Sequence, residues 1–283
     1  MIEWLKFLPI NLRFLDLDVN AEYKGPDFKN AKPITLLAGG NTIRLKAPRH
    51  KTTLKEPSIY VRNRDGLNSG FDYYNLPTAV AQTWKYSTLV YRCWGYLYAW
   101  YRGSTGNLHM HLSIVTRVEE KPFKNTSFFH PRSFEFILAN YLNTRYGHEQ
   151  TDGVADYRAP VSWQVHQQLP VFSASFEIGG INGDLFYVFP ISDTHFIKLS
   201  FNLSNWDNLR EEMRAVAKQI IESLTLELCA ESQAQWDRVK ATCPDMQLSE
   251  TFAPLQWPIK PEDIEKPAVE MPNENHTEKL IHP

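Results

Sequence analysis

The sequence has little cysteine. Its 283 residues include only Cys93, Cys229 and Cys243, and none of these is part of a CxxC pair. An odd and sparse count argues against both a disulfide framework and a structural zinc site. We therefore expect three reduced thiols, buried as small hydrophobic side chains.

Long apolar runs are also missing. No window approaches the roughly 18 consecutive apolar residues that a membrane-spanning helix requires. Near the N-terminus, Glu3, Lys6 and Pro9 interrupt the apolar residues that a signal peptide would keep continuous. These features predict a soluble cytoplasmic protein.

Neither sign of charge is in excess. The chain has 30 basic and 32 acidic residues and a formal net charge of -2, which gives no overall attraction to nucleic acid or acidic membranes. Its 43% hydrophobic and 22% charged residues are globular proportions. They exclude a wholly disordered, collagenous or coiled-coil chain.

The C-terminal stretch differs in composition from the rest of the chain. From Pro244 to Pro283 it holds seven of the 18 prolines and no glycine, and it is rich in acidic residues. Such a composition cannot repay the entropy of ordering a packed core. We expect a globular domain over residues 1–240, with two possible subdomains meeting near 150–160. Residues 241–283 would form an acidic, extended or disordered tail that is dispensable for folding.

Two helices and several strands are indicated by periodicity. Apolar residues at helical spacing follow Pro131 and end at Gly147, and a second such stripe follows Ser204 and Asp207 up to Leu224. Apolar runs broken by glycine-rich turns read as strands, including a hairpin around Gly39, Gly40 and Asn41. We therefore predict an α+β fold, a mostly antiparallel sheet with two main helices packed on it.

The order of elements over residues 160–228 resembles the closing half of PsbP-like and DcrB-like domains. The resemblance rests on a strand at Leu169–Val171, strands at Tyr187–Pro190 and His195–Phe201, and a helix that ends at Ile220–Leu224. Members of that group are mostly small, non-enzymatic adaptor or chaperone-like proteins. The resemblance implies a binding role, and it carries over no catalytic motif.

Residues 84–101 contain eight aromatic side chains. In a strand, the even positions Trp94, Tyr96, Tyr98 and Trp100 would share one face. If a two-residue loop followed, Trp100 would pair with His109 and Tyr98 with His111, so the aromatic rings and the imidazoles would form one surface. A slip by one residue would separate them.

This surface is the candidate binding site, made of Trp94, Tyr96, Tyr98, Trp100, His109 and His111. Flat aromatic rings with polar edges can stack on sugars or bases, and they can equally receive a peptide or a partner helix. The alternative is that another segment covers the rings and turns them into a second core layer.

His109 and His111 also have the spacing of two metal ligands on one strand. A metal site would need a third ligand such as His130, His148, His166 or a carboxylate. Histidines on a polar strand face commonly occur without any ion. We therefore expect no metal and no other cofactor.

Motifs for catalysis are missing from the sequence. It has no GxSxG, GxxxxGK[ST] or GxGxxG motif. Residues 192–195 read Ser-Asp-Thr-His, but neighbours on one turn cannot form a charge relay. We expect a β-turn there, in which Asp193 bonds its own backbone.

We therefore expect a non-enzymatic binding or adaptor protein that presents its aromatic surface to a protein or peptide partner. One alternative is a metal-dependent or carbohydrate-directed enzyme that uses His109 and His111. Another is single-stranded nucleic-acid binding, aided by the seven bases between Arg44 and Arg64. That basic segment equally suits a solvated surface or a docking place for the acidic tail.

Overall fold

The structure is a computed structural model that describes residues 25–49, 79–80, 84–97, 104–117, 126–146, 160–178, 184–203 and 207–251. A short 3-10 helix, Phe28–Asn30, precedes the first strand. The strands are β1 Lys32–Ala38, β2 Asn41–Ala47, β3 Ala79–Val80, β4 Trp84–Leu97, β5 Ser104–Arg117, β6 Pro160–His166, β7 Ser173–Ile178, β8 Asp184–Pro190, β9 His195–Asn202 and β10 Thr225–Glu227. The helices are α1 Pro131–Tyr146, α2 Asp207–Glu222 and α3 Ala230–Thr242.

The described strands form two antiparallel sheets. The larger sheet has seven strands in the order β3-β4-β5-β9-β8-β7-β6, and the smaller has three in the order β1-β2-β10. The predicted α+β class is confirmed, as are the two predicted helices. The sequence reading missed α3, whose buried apolar side chains are limited to Trp236 and Val239.

The hairpin between β1 and β2 forms as the sequence predicts. Gly39 and Gly40 both have positive φ, 56° and 78°, and Ala38 pairs with Asn41. A two-residue turn with positive φ at both positions matches the twist of the strands, and glycine adopts it without steric cost.

One face of the larger sheet, the inner face, carries Trp94, Leu108 and Met110. Helix α2 packs on this face, because Glu177 of β7 lies on it and its carboxylate accepts hydrogen bonds from Arg210 and Arg214 of α2. Apolar side chains from both sheets and all three helices belong to one buried cluster. Burying this apolar surface is the main favourable term in folding.

Helix α1 packs on the opposite face of the larger sheet. The rings of Phe134 and Tyr141 stand edge-on to Phe196 of β9, with centroids 5.8 and 5.6 Å apart. Tyr141 also meets Trp84 of β4 edge-on at 5.3 Å. Edge-to-face packing of this kind suits the quadrupoles of aromatic rings, so α1 is fixed over β4 and β9.

Asn41 joins three parts of the fold. Its buried side-chain amide donates to the carbonyl oxygens of Ala38 and Ile191, and its Oδ1 accepts from the backbone N–H of Cys229. One side chain therefore ties the β1–β2 turn to the end of β8 and the start of α3.

The residues that follow α3 pack against α1 and β6. Leu248 is 4% exposed, the Ser249 backbone N–H donates to Glu135 of α1, and Trp163 of β6 donates to the Ser249 carbonyl at 2.9 Å. The division into a 1–240 domain and a 241–283 tail stays a prediction. Leu255 and Trp257 lie outside the described residues.

None of the helices in the described ranges is long and apolar enough to cross a membrane.

Candidate functional site

The register between β4 and β5 defines the candidate site. Cys93 pairs with His109 and Tyr91 with His111, while Trp94 pairs with Leu108. Since paired residues share a face and neighbours alternate, Tyr91, Cys93, His109 and His111 lie together on the face opposite Trp94. We call this surface the histidine face.

The predicted register is therefore wrong. Trp94 pairs with Leu108 and Tyr96 with Gly106, so even positions of this part of β4 meet even positions of β5. The aromatic residues share a face with Leu108 and Met110, and the histidines point the other way. The physical reason is burial, because this register places the large rings and the aliphatic side chains in one core.

Trp94 and Tyr96 are core residues, at 1% and 0% exposure. The Trp94 indole N–H donates to the carbonyl oxygen of Arg49 at 3.0 Å, just beyond β2. Burial raises the pKa of the Tyr96 phenol well above its ordinary value. A Cβ at Gly25 would overlap the ring of Tyr96, so the backbone packs directly on it. Tyr98 and Trp100 lie outside the described residues, and a binding role for the predicted set stays a prediction.

Tyr91 organises the two histidines. Its phenolic oxygen lies 2.8 Å from Nδ1 of His109, and its ring lies 5.9 Å from the His109 ring in a stacked arrangement. The His111 ring is tilted against the Tyr91 ring, with centroids 4.8 Å apart. Tyr91 is buried while both imidazoles are half-buried, so the phenol forms a rigid base beneath two partly exposed rings.

A thiol completes this cluster. Sγ of Cys93 lies 4.0 Å from Nε2 of His109, and the Cys93 side chain is buried. The imidazole of His109 therefore has a phenol at one ring nitrogen and a thiol near the other. The arrangement suits proton exchange between sulfur and nitrogen, with the tyrosine holding the ring.

Strand β9 extends the polar surface across the sheet. By register Asn202 stands beside His109, Ser200 beside His111 and Lys198 beside Ser113. Lys198 is 6% exposed, and its ammonium group donates to the Tyr141 hydroxyl of α1 at 2.8 Å. It also lies within 5.7 Å of the ring centres of Tyr141 and Phe186, so aromatic faces stabilise the buried cation.

The edge of the histidine face carries a carboxylate. Asp184 of β8 pairs with Asn202, and the Asn202 amide donates to Asp184 at 2.6 Å. The face thus combines phenol, imidazole, thiol, hydroxyl, amide, ammonium and carboxylate groups. It offers both donors and acceptors of hydrogen bonds within a few residues of the aromatic base.

Two candidates for a third metal ligand, His130 and His166, lie away from His109 and His111. His166 pairs with Ser173 and lies on the inner face. Nδ1 of buried His130 accepts a hydrogen bond from the Ser133 backbone N–H at 3.4 Å, at the start of α1. Within the described ranges, no group of three or more His, Cys, Asp or Glu side chains could hold a metal ion. His148 lies outside the described residues.

The turn at residues 192–195 differs from its prediction. The Asp193 carboxylate accepts hydrogen bonds from the Ser127 hydroxyl and, at 2.6 Å, from Arg238 of α3, instead of bonding its own backbone. Nδ1 of His195 forms a hydrogen bond with the Thr194 hydroxyl at 2.8 Å, and burial lowers the pKa of His195 to about 4. Asp193 therefore anchors the β8–β9 turn to α3.

Three bases of the segment between Arg44 and Arg64 lie in the described ranges, namely Arg44, Lys46 and Arg49, and the side chain or backbone of each makes a contact within the fold. Arg44 donates to Glu227 of β10, and the Lys46 backbone exchanges hydrogen bonds with the Ser223 hydroxyl. Residues 50–64 of that segment lie outside the described residues.

Sequence reasoning found His109 and His111 but missed Tyr91, Cys93 and Lys198. Strand alternation assigns Tyr91 and Cys93 to one face of β4 in the sequence. Only the register shows that this face is shared with the histidines. Lys198 sits at a position where alternation predicts solvent, and helix α1 covers it.

Comparisons with known proteins give little support for a family. No family model matches the chain, and no curated protein matches it. A solved structure of LpqN, involved in cell envelope biogenesis of Mycobacterium tuberculosis, matches with a TM-score of 0.27 and 11% identity, covering 54% of this chain and 87% of that chain. The resemblance to PsbP-like and DcrB-like domains is not confirmed.

Proposed function

We propose that the protein is a non-catalytic binding protein that receives an extended peptide segment of a protein partner on its histidine face. The observation that carries the proposal is the packing of half-buried His109 and His111 against buried Tyr91, with His109 stacked and His111 tilted. Rigid aromatic rings with polar edges provide large contact area at little cost in conformational entropy.

The polar groups around the rings support a peptide partner. A peptide backbone presents N–H donors and C=O acceptors in alternation. The face offers the Asn107 and Asn202 amides, the Ser200 hydroxyl and the imidazole nitrogens, which supply both kinds of partner. Donors and acceptors therefore match a backbone better than they match an apolar ligand.

The charge of the face also supports a peptide over a nucleic acid. Near the two histidines, the charged side chains of the described residues are Lys198 and Asp184, which balance one another. A phosphate backbone is usually held by several lysines and arginines. Binding here should depend only weakly on salt.

The proposal is tested by selecting peptides from a displayed library on the wild-type protein and measuring their affinities by titration calorimetry. The double variant His109→Ala/His111→Ala removes both imidazoles and should weaken binding at least tenfold, about 1.4 kcal/mol. A matched double variant, Lys218→Ala/Gln219→Ala, changes two exposed residues of α2, which packs on the other face, and should leave the affinity unchanged.

Two results would contradict the proposal. One is that the library yields no binder. The other is that selected peptides bind the His109→Ala/His111→Ala variant as tightly as the wild type. Affinity that falls steeply with salt for single-stranded RNA, with no peptide binding, would favour nucleic-acid recognition instead.

A further inference from the structure

The cysteine of the histidine face has surroundings that the other two cysteines lack. Cys93 Sγ faces Nε2 of His109 at 4.0 Å, while Nδ1 of the same ring is 2.8 Å from the Tyr91 hydroxyl. Cys243, by contrast, lies near the Asp245 carbonyl oxygen, and burial raises the pKa of its thiol. Of these two cysteines, only Cys93 has a base within reach of its sulfur.

Proton transfer from Cys93 to His109 would give each ring nitrogen an N–H that faces an acceptor. The imidazolium formed has two N–H groups, of which Nε2–H points to the thiolate and Nδ1–H to the Tyr91 oxygen. A cationic imidazole beside the sulfur stabilises the thiolate, the reactive form of cysteine. Tyr91 acts as a positioning residue, because it holds the ring by a hydrogen bond and by stacking.

A buried acceptor on the same strand face as Cys93 indicates what kind of molecule would bind. Asn107 lies two residues before His109 on the same strand face, opposite Gly95. Its Oδ1 is buried and has no hydrogen-bond partner among the described residues. A buried acceptor of this kind costs stability unless a donor reaches it, so a ligand with an N–H or O–H group would complete it.

We propose that Cys93 is a histidine-activated thiol that forms a mixed disulfide with a small disulfide molecule carrying an N–H or O–H donor. The Cys93 thiolate attacks one sulfur of that molecule, and a new S–S bond forms as the original S–S bond breaks. The departing thiolate takes the electron pair of the broken bond and a proton from solvent. Cys93 is 2% exposed, while Gly95, Asn107 and His109 beside it are half-buried, so the proposed reaction requires the disulfide to enter between these three residues.

Other groups on this face bear on the pH dependence of the thiol. Tyr91 and His111 lie next to the cluster on β4 and β5, Lys198 lies further along β9, and Asp184 lies beyond Asn202 on β8. Helix α1 contributes Tyr141, which holds Lys198. The variants below leave Lys198, Asp184, His111 and Tyr141 in place, so a change in the profile reports on His109 or Tyr91.

The test follows the reaction of the full-length protein with 4,4′-dithiodipyridine between pH 5 and 9, with the labelled cysteine assigned by peptide mapping. Cys243 serves as the internal control. At pH 6, Cys93 should react at least tenfold faster than Cys243, because its thiolate persists beside the imidazolium. His109→Gln should lower the rate of Cys93 at least tenfold, and Tyr91→Phe should move the pH midpoint of the reaction upward.

A second probe tests the class of ligand. Oxidised glutathione carries amide N–H donors, whereas 4,4′-dithiodipyridine carries none. Asn107→Ala should slow the reaction with oxidised glutathione about fivefold, which corresponds to the loss of one hydrogen bond. It should leave the reaction with 4,4′-dithiodipyridine unchanged.

Three results would overturn the inference. Labelling of Cys93 only in urea would show an inert buried thiol. A wild-type pH profile that matches Cys243 would exclude activation, and this result does not depend on any variant folding. An unchanged rate in a His109→Gln variant with native circular dichroism would exclude His109 as the base. The test uses no partner, so it can fail or succeed independently of the proposed peptide binding.

Discussion

At the scale of single residues, His195 links folding to pH. Burial lowers its pKa to about 4, against an ordinary value of 6.5. The unfolded chain therefore binds a proton at a higher pH than the folded protein does. The contribution of His195 to the unfolding free energy is complete above about pH 6.5. It falls as the pH drops from about 6.5 to about 4, and then levels off.

We expect protonation of His195 to lower the unfolding free energy by about 3 kcal/mol as the pH falls from 7 to 4. Burial lowers the pKa of His130 and His166 as well, so these residues add to the fall. Urea unfolding of the wild type and His195→Gln at pH 7.0, 5.5 and 4.0 isolates His195, because the variant should lose less stability. Equal losses in the two proteins would show that His195 does not carry the effect.

At the scale of elements, an ion-pair cluster joins β7 to α2. Arg214 approaches the Glu177 carboxylate at 2.7 Å and Arg210 at 3.2 Å. Burial acts to raise the pKa of Glu177, but the two arginines outweigh it and the pKa lies below its usual value. The carboxylate is therefore ionised across neutral pH and ties the helix to the inner face.

Glu177→Gln should lower the unfolding free energy by about 1–2 kcal/mol, a value reduced from that of a fully buried pair because the arginines are partly exposed. Glu222→Gln is the matched control, since Glu222 and Lys218 form a pair at 3.9 Å that is largely exposed. That change should stay within about 0.5 kcal/mol. Urea unfolding at pH 7 measures both, and equal effects would contradict a specific role for Glu177.

The β4–β5 hairpin shows what local patterns can predict about an element. The alternation of side chains along each strand follows from the strand period, and it is confirmed for Trp94, Tyr96, His109 and His111. The pairing between the strands depends on the length of the connection and on which faces are buried. The observed partner of His109 is Cys93, seven positions from the predicted Trp100, and because this difference is odd the aromatic rings and the histidines lie on opposite faces.

At the scale of the whole molecule, residues 245–251 connect the C-terminal part of the chain to α1 and β6. Leu248 is buried, and Ser249 bonds with Glu135 and Trp163. Burying one leucine side chain contributes about 1.5–3 kcal/mol. This packing bears on the prediction that the acidic tail is dispensable.

A chain that ends at residue 251 should be more stable than one that ends at residue 244, by about 2–4 kcal/mol. Thermal and urea unfolding of both truncations measure the difference, and Leu248→Ala in the full chain should reproduce most of it. If both truncations match the full-length protein, the contacts of Leu248 and Ser249 contribute nothing to stability.

Local sequence patterns predicted the elements whose cause is local. Helical spacing predicted α1 and α2, the two glycines predicted the β1–β2 turn, and alternation predicted the strands and the α+β class. Helix α3 was missed because few of its residues are apolar, and its stability depends on packing of Trp236 and Val239. Local sequence patterns predict only conformations that depend on residues near one another in the chain.

The composition of the candidate site depends on tertiary contacts. The tertiary structure brought Tyr91 and Cys93 to His109, placed Lys198 beneath Tyr141, and moved Trp94 and Tyr96 into the core. These outcomes depend on pairing between strands and on which helix covers which face. The free energy of apolar burial is summed over the whole molecule, so no single stretch of sequence determines the strand register or which face is covered.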